Sequence, residues 1–363
     1  MTKFWLKDGK IVCDGSGHPI LCDTCPCGGV ASGFYIGGAF TTVGGSATSH
    51  GIAYFNGLSW SHVAAVAPPS ASSGFGGTIF GLAFFNGFLW AGGNFTSVDG
   101  NSISYLAYWD GTAWNATNTF DGEIDAMVVW GSVLVVAGQF DNISGVSGTG
   151  HVASFDGSTW TMMGYPSAAY ARILGVVGSD LWVGSDSGAG NTFHKWNGSS
   201  WTAYMPGSYT QHAFSGSTSL SSSFNVTADR AIVSWTGTPV VWLSDTNRVF
   251  QINDSTNDTV LDSNSGLVLF ADIGILSTGT LVASGFSTGS YDIYSYSGSY
   301  SWSAMSGNLT AHFNDVVSYG TLSVILGTFS GLGTGLRTYD PGTNSFADFI
   351  ATNSEVYCAL EIL

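Results

Sequence analysis

"WDGTAW", residues 109–114, is the stretch of sequence that decides the fold. Its Asp-Gly pair is typical of a tight hairpin turn, because such turns need positive φ angles that Gly, Asn and Asp adopt readily. Closely similar stretches end at Trp60, Trp160 and Trp201. The sequence therefore predicts a β-hairpin that recurs along the chain.

Looser copies of this hairpin continue the series toward the C-terminus. They place Val260, Trp302 and Phe346 in the tryptophan position, so that successive copies lie 54, 46, 41, 59, 42 and 44 residues apart. Repeats of about 40 to 50 residues are typical of propeller blades. Apolar runs without helical periodicity precede the hairpins, and each unit is interpreted as four strands. The sequence predicts an all-β protein.

The two ends of the chain predict how the repeats close. The first unit begins at its second strand, "GFYIGG" (33–38), whereas residues 355–363 follow the last unit as one extra strand. A ring closed in this way removes exposed sheet edges. We therefore expect a seven-bladed β-propeller over residues 30–363, closed by the C-terminal strand, with a small Cys-rich β segment at residues 1–29.

The repeated GGxFT…[FWY][DN]GxxW pattern resembles the kelch-like propeller family, including the central domain of galactose oxidase. It is also similar to arrays in bacterial surface proteins and fungal cortical marker proteins. The resemblance covers about residues 30–363 and fits best in the first four units; the fifth lacks the Gly-rich loop. It implies a propeller fold and leaves the function open, because propellers host binding, scaffolding and catalysis alike.

Composition limits the partners. The net charge is −16, with only 8 Lys and Arg residues and 9% charged residues. Nucleic acids and anionic membrane surfaces are disfavoured, because both are bound through cations. No apolar run reaches the roughly 20 residues that would cross a bilayer. The Lys-poor surface is typical of proteins outside cells, and the start of the chain lacks the apolar region of a secretory signal. These features together favour a virion surface or another extracellular assembly.

Charged residues near the starts of the innermost strands break the repeat. Alignment places them at one level of the central channel, with Gly81 and Cys358 completing the ring; the charged members are Asp125, Arg172, Arg230, Asp272 and Asp315. Three aspartates suit Ca²⁺ or a network of sugar hydroxyls. The alternative is a salt-bridged polar plug, since Arg beside Asp keeps partly buried charges compensated.

An insertion at 206–227, before the fifth innermost strand, also breaks the repeat. It carries Tyr209, His212 and Phe214 among Ser and Thr residues, a composition suited to stacking on sugars or packing on a protein partner. The alternative is a surface loop that only covers a blade edge.

The N-terminal residues 1–29 differ from the rest of the chain. They carry Lys3, Lys7 and Lys10, and "FWLKDGKIVC" (4–13) predicts a hairpin with its turn at Asp-Gly. The segment also holds four thiols, those of Cys13, Cys22, Cys25 and Cys27. They suit two disulfides or a zinc site, with free thiols as a third alternative. We expect this segment to dock onto other protein subunits, with a second copy of the chain among the candidates; its opening is similar to some phage structural proteins.

No recognisable catalytic set is present. The seven His residues are scattered, and the copper ligands of galactose oxidase have no counterpart in the sequence. We therefore expect a non-enzymatic structural or attachment protein that binds protein subunits or a cell-surface glycan. The alternative is a glycan-active propeller enzyme of glycosidase type, because a pair of catalytic carboxylates leaves no local motif.

Overall fold

The structure is a computed structural model. It describes residues 33–45, 47–63, 74–148, 150–166, 170–185, 192–204, 232–235, 238–243, 248–251, 259–260, 269–287, 290–298, 301–305, 311–319, 321–329 and 333–362. Within these ranges the regular structure is all β-strand, as the sequence predicts.

The strands are numbered in chain order. The first half of the chain contains β1 (Gly33–Gly38), β2 (Thr42–Val43), β3 (Ala47–Thr48), β4 (Ile52–Phe55), β5 (Trp60–His62), β6 (Ile79–Phe85), β7 (Phe88–Gly93), β8 (Leu106–Trp109), β9 (Trp114–Ala116), β10 (Ile124–Trp130), β11 (Val133–Gly138), β12 (Val152–Phe155), β13 (Trp160–Met162), β14 (Ala171–Val177), β15 (Asp180–Ser185), β16 (Thr192–Trp196) and β17 (Trp201–Tyr204). The second half contains β18 (Ile232–Trp235), β19 (Thr238–Leu243), β20 (Arg248–Gln251), β21 (Thr259–Val260), β22 (Leu269–Ile275), β23 (Leu281–Ser287), β24 (Ser290–Gly298), β25 (Ser301–Ala304), β26 (Ala311–Tyr319), β27 (Leu322–Phe329), β28 (Gly333–Asp340), β29 (Ser345–Ala351) and β30 (Val356–Ile362).

These strands form antiparallel four-stranded sheets and one small hairpin, β2–β3. Sheet 1 has the order β30-β1-β4-β5, and sheets 2, 3 and 4 are β6–β9, β10–β13 and β14–β17. Sheets 5, 6 and 7 are β18–β21, β22–β25 and β26–β29. Each sheet therefore pairs strands that are consecutive in the chain, except that sheet 1 takes its first strand from the C-terminus.

The first strands of the sheets lie next to one another around a centre. They are in contact in the circular order β30, β6, β10, β14, β18, β22, β26 and back to β30. The strand β30 is antiparallel to β1, from Gly33 opposite Ile362 to Gly38 opposite Val356. The first strand of each sheet is therefore the inner strand, and the fourth is the outer one.

The prediction of seven complete blades needs correction. Side-chain packing is described for six of the sheets, and sheet 5 is described by its main chain alone, with an outer strand β21 of only 2 residues. Sheet 5 is also the repeat whose sequence lacks the Gly-rich loop and carries Val260 where other repeats carry an aromatic residue. The structure thus shows six packed blades and the main-chain outline of a further sheet. The predicted Cys-rich segment lies outside the described residues.

The hydrophobic core lies between the sheets. One cluster joins sheets 1 and 2 through Tyr35 and Ile79, and another joins sheets 7 and 1 through Phe34 and Leu326. Further clusters join sheets 2 and 3, sheets 3 and 4, and sheets 6 and 7. Burying an aromatic side chain such as Phe34, which is fully buried, contributes on the order of 2 kcal/mol. The core therefore holds sheets 6, 7, 1, 2, 3 and 4 together in that order.

Candidate functional site

The repeated hairpin belongs to the scaffold. In the turn after β8, the Asp110 carboxylate accepts hydrogen bonds from the backbone N–H groups of Thr112 and Ala113, both at 2.8 Å. Gly111 has a φ of 96°, as the turn requires. Partial burial acts to raise the pKa of Asp110, but the hydrogen bonds from Ala113 and Thr112 outweigh it and lower the pKa. This carboxylate is committed to holding the turn.

The hairpin tryptophans connect neighbouring sheets. The indole Nε1 of Trp114 in sheet 2 donates, at 3.0 Å, to the carbonyl oxygen of Val63, which directly follows the outer strand of sheet 1. In the next sheets the indole of Trp160 donates to Thr117 at 3.1 Å, and that of Trp201 donates to the Met163 carbonyl at 2.7 Å. Each of these three tryptophans thus links its blade to the preceding one.

The inner strands contain a β-bulge near their starts. In sheets 2, 3 and 4 the residue that the register skips is the second of the strand: Phe80, Asp125 and Arg172. In sheets 6, 7 and 1 the skipped residues are Ala271, Asn314 and Tyr357. A bulged residue is displaced from the ladder and re-aims its side chain. These six residues form the bulge level.

The sequence-predicted ring therefore divides between two levels. Asp125 and Arg172 lie at the bulge level, whereas Asp272, Asp315 and Cys358 lie one residue further along their strands. Gly81 also lies one residue past its bulge. The alignment by sequence misses this offset because a bulge adds a residue without leaving a mark in the hydrophobic pattern.

Asp125 and Arg172 are brought together. The Arg172 Nη1 lies 3.1 Å from the Asp125 Oδ2, and the pair links the inner strands of sheets 3 and 4. The Asp125 side chain is fully buried and that of Arg172 is 18% exposed. Such a buried pair is an interaction between two blades, and it leaves the guanidinium partly open to the solvent.

Asp315 has a different role. Its Oδ1 accepts a hydrogen bond from the backbone N–H of Val316, at 2.7 Å, and its Oδ2 accepts one from that of Ala359, at 3.0 Å. Asn314 donates to the carbonyl of Val356, at 2.8 Å. Both side chains thus attach β26 to β30, and Asp315 is a connector between sheets 7 and 1.

The remaining predicted site residues cannot be placed as side chains. The main chain of Asp272 lies in β22 opposite Ser284, and its side chain is outside what the structure describes. The other predicted residues lie wholly outside the described ranges: Arg230, Tyr209, His212, Phe214, Cys13, Cys22, Cys25 and Cys27.

The structure places a group of side chains around Arg172 that the sequence does not predict. The Tyr170 ring lies 5.9 Å from the Arg172 guanidinium carbon and meets the His151 ring edge-on at 5.2 Å. His151 Nδ1 is 3.7 Å from an Asp141 carboxylate oxygen. Tyr170 is 42% exposed and the Asp141 side chain is 65% exposed. Together with Asp125 and Glu123, these residues are called the mouth cluster.

Glu123 completes the mouth cluster just before β10. Burial raises the pKa of its carboxyl, and the positive charge of Arg172 partly offsets this effect. The Gln139 side-chain amide donates to the Glu123 carboxylate. The only sequence signal for Glu123 and Tyr170 is their shared position, since each directly precedes an inner strand.

The opposite side of the bulge level is aromatic. The rings of Phe80 and Tyr357 meet edge-on with centroids 5.8 Å apart. The Tyr357 hydroxyl donates to the carboxylate of Glu355, which directly precedes β30 as Glu123 precedes β10. The entrance formed by the described inner strands thus carries acidic and aromatic groups around one arginine.

Neither a candidate metal site nor a candidate membrane-spanning helix occurs among the described residues. Within those ranges, no group of three or more His, Cys, Asp or Glu side chains is placed to hold a metal ion. No helix in the described part of the chain is long and apolar enough to cross a membrane.

Comparison with solved structures identifies the architecture. A protein from Lactobacillus plantarum matches with a TM-score of 0.53 at 11% identity, over 92% of this chain and 99% of that one. YCF48, solved bound to D1 peptide, matches with a TM-score of 0.50 at 12% identity, over 85% and 89% of the two chains. The fold is a β-propeller. Puromycin hydrolase also matches, with a TM-score of 0.50 at 12% identity, over 88% of this chain and 52% of its own.

These identities are low, so the propeller likeness concerns the fold alone. No protein-family profile matches the sequence. No curated protein matches it either. The function has to be argued from the propeller's own residues.

Proposed function

We propose that this propeller is a non-enzymatic structural or attachment protein, exposed outside cells as part of a virion or another extracellular assembly. Its repeat is of the kelch-like type, supported by the GGxFT…[FWY][DN]GxxW pattern. The Lys-poor composition, with 9% charged residues, supports the extracellular setting.

The observation that carries the proposal is the contrast between the repeated groups and the mouth cluster. The hairpin carboxylates and tryptophans are committed to turns and to contacts between sheets. The mouth cluster is asymmetric, and it exposes Tyr170 and Asp141 beside a partly open arginine. An exposed aromatic ring next to charged groups is a composition that recognises protein surfaces, where Tyr and Arg are enriched.

The insertion adds to the same end of the propeller. Tyr204, at the end of β17, pairs with Phe193, which lies opposite Gly184 and hence close to the start of β14. The connection that contains 206–227 therefore leaves sheet 4 at the end that carries the mouth cluster. We include its Tyr209, His212 and Phe214 in the proposed recognition surface for a protein subunit or a cell-surface glycan.

The N-terminal segment supplies the second contact in this proposal. Residues 1–29 connect the propeller to the protein subunits of its assembly, so that the mouth end faces outward. YCF48 was solved with a peptide bound, which illustrates that propellers of this architecture bind protein segments.

Binding and product analysis test the proposal together. The full-length protein is screened against a glycan array and against the protein products of the neighbouring genes, and any bound glycan is analysed for cleavage. We expect binding without turnover, weakened at least about tenfold by Tyr170→Ala, a typical effect of losing an interface anchor. Leu58→Ala is the matched control, because Leu58 is 93% exposed on a turn at the other end of the sheets. Released sugar would overturn the proposal and favour a glycosidase.

A further inference from the structure

The outer strand of sheet 7 differs from the outer strands of the other sheets. β29 has 7 residues, whereas β5, β9 and β13 have 3 each, β17 and β25 have 4, and β21 has 2. Short outer strands are one way in which natural proteins prevent pairing with other strands. Sheet 7 does not use this protection.

Only part of the β29 edge is covered. At the C-terminal end of β29, the backbone N–H of Gly44 in the β2–β3 hairpin donates to the carbonyl of Ala351 at 2.8 Å, and Val43 forms a β-bridge with Thr352. Along the rest of β29, from Ser345 to Ile350, β28 is the one described strand that pairs with it. Ser345, Ala347 and Asp348 are exposed. The stretch from Ser345 to Ile350 of β29 is therefore an open edge among the described residues.

The regular part of this open edge is short and well defined. The register with β28 is unbroken from Ser345 to Asp348 and then shifts at Phe349. A shift of this kind twists an edge away from further pairing. A partner strand of about four residues fits the regular part.

The N-terminal segment joins the described chain at β1, whose start lies beside β29. Residues 1–32 precede β1, and Phe34 in β1 packs against Phe349 of β29, with ring centroids 6.2 Å apart. The arms 4–7 and 10–13 of the hairpin expected from the sequence have four residues each. The roughly 20 residues between this hairpin and Gly33 span up to about 60 Å when extended, so that the edge is within reach.

Charge favours the same pairing. Lys3, Lys7 and Lys10 are three of the eight cations in the chain. Around the open edge, Arg337 is already paired with Asp348 at 2.6 Å, and Asp340 holds the turn before β29 through the Gly342 N–H. Among the described residues around this edge, the cation Arg337 is thus already used in an ion pair. A lysine from the N-terminal segment would add positive charge there.

We infer that one arm of the hairpin 4–13 pairs with Ser345–Asp348 of the same chain and forms a fifth strand on sheet 7. Pairing within one chain is favoured over pairing with a second copy because the short connection gives the arm a high effective concentration at the edge. This inference goes beyond the proposed function, since the remaining residues of 1–29 are free to contact an assembly in either case.

Hydrogen exchange on the full-length protein tests the inference. Leu6→Pro with Ile11→Pro disables both arms, because proline lacks the N–H that a strand donates. The amides of Ser345–Asp348 that point away from β28 should then exchange at least about tenfold faster, while those of Leu322–Phe329 stay protected and report an intact sheet. Unchanged exchange at 345–348 would overturn the pairing. Protection that is lost when the wild-type protein is diluted about a hundredfold would overturn the assignment to the same chain.

A second variant changes β29 itself, the strand with which the arm is inferred to pair. Ala347→Lys adds a charge to the open edge, and Ala203→Lys is the matched control, since Ala203 is also exposed on an outer strand. Trypsin cleavage after Lys7 and Lys10 should accelerate at least about tenfold in Ala347→Lys and stay at the wild-type rate in Ala203→Lys. Equal rates in the two variants would contradict the inference even if the proline variant misfolds.

Discussion

At the scale of single residues, the Arg172–Asp125 pair is the most consequential contact of the mouth cluster. Replacing Arg172 by Met removes the cation that is paired with the fully buried Asp125 carboxylate. Removing one partner of a buried ion pair costs about 3–5 kcal/mol. We expect the free energy of unfolding, measured by urea denaturation, to fall by about that amount.

The pair of Arg337 and Asp348 provides the control for this experiment. Its aspartate side chain is 53% exposed, and solvent-exposed ion pairs contribute about 0–1 kcal/mol. Arg337→Met should therefore change the stability little. Equal losses in Arg172→Met and Arg337→Met would show that burial does not distinguish the two pairs.

His194 makes the stability depend on pH. Burial lowers the pKa of this imidazole, whose Nδ1 lies 3.2 Å from the Tyr165 hydroxyl. The unfolded chain then binds a proton more readily than the folded protein does, so its stability falls as the pH drops below about 6.5. Unfolding free energies at pH 7.5 and 5.5 should differ more in the wild type than in His194→Gln. Identical differences would refute this role.

At the scale of strands and sheets, the inner strand β30 holds sheet 1 to sheet 7. It pairs along β1, and its backbone accepts one hydrogen bond from Asn314 and donates one to Asp315. Deleting residues 355–363 removes all of these contacts together. We expect the truncated chain to fail to form a stable monomer, as followed by thermal unfolding and sedimentation. An unchanged melting temperature would contradict this expectation.

The inter-sheet indole bonds allow a finer test. Trp114→Phe keeps an aromatic ring but removes the donor to the Val63 carbonyl. Because Trp114 is only 5% exposed, the loss should cost about 1–3 kcal/mol, measured by urea denaturation. Trp109→Phe is a useful comparison, since Trp109 is also buried and lies in the same hairpin. An equal or larger loss at Trp109 would argue against the bond as the cause.

The hairpins were predictable from sequence and the bulges were not, for a physical reason. An Asp-Gly pair specifies its own backbone angles, so "WDGTAW" predicts its turn without reference to the rest of the chain. A bulge depends on how two strands align, and it shifted Asp315 away from the level of Asp125. The mouth cluster was not predicted for a related reason: Asp141, Tyr170 and Glu123 lie in separate connections between strands, and they come together around His151 and Arg172 only in the folded protein.

At the scale of the whole molecule, the charge balance is one-sided. The chain has a net charge of −16. The cations whose side chains the structure describes, Arg172, Lys195 and Arg337, are each paired with an aspartate. The remaining acidic groups repel one another, and salt screens this repulsion over about 10 Å at 0.1 M. Raising NaCl from about 10 mM to about 500 mM should therefore raise the melting temperature. A decrease would mean that ion pairs outweigh the repulsion.

The direction of the tryptophan bonds bears on how the protein is made. Trp114, Trp160 and Trp201 each donate to the residue that directly follows the outer strand of the preceding sheet, and this residue is already synthesised when the tryptophan leaves the ribosome. Sheets 2, 3 and 4 can thus each attach to chain that is already made as translation proceeds from the N-terminus. Sheet 1 is the exception, because its inner strand is the last to be made. During translation, the edge of β1 that pairs with β30 stays exposed until the final residues emerge. A chain that ends before β30 keeps this unpaired edge permanently and can pair with strands of other chains.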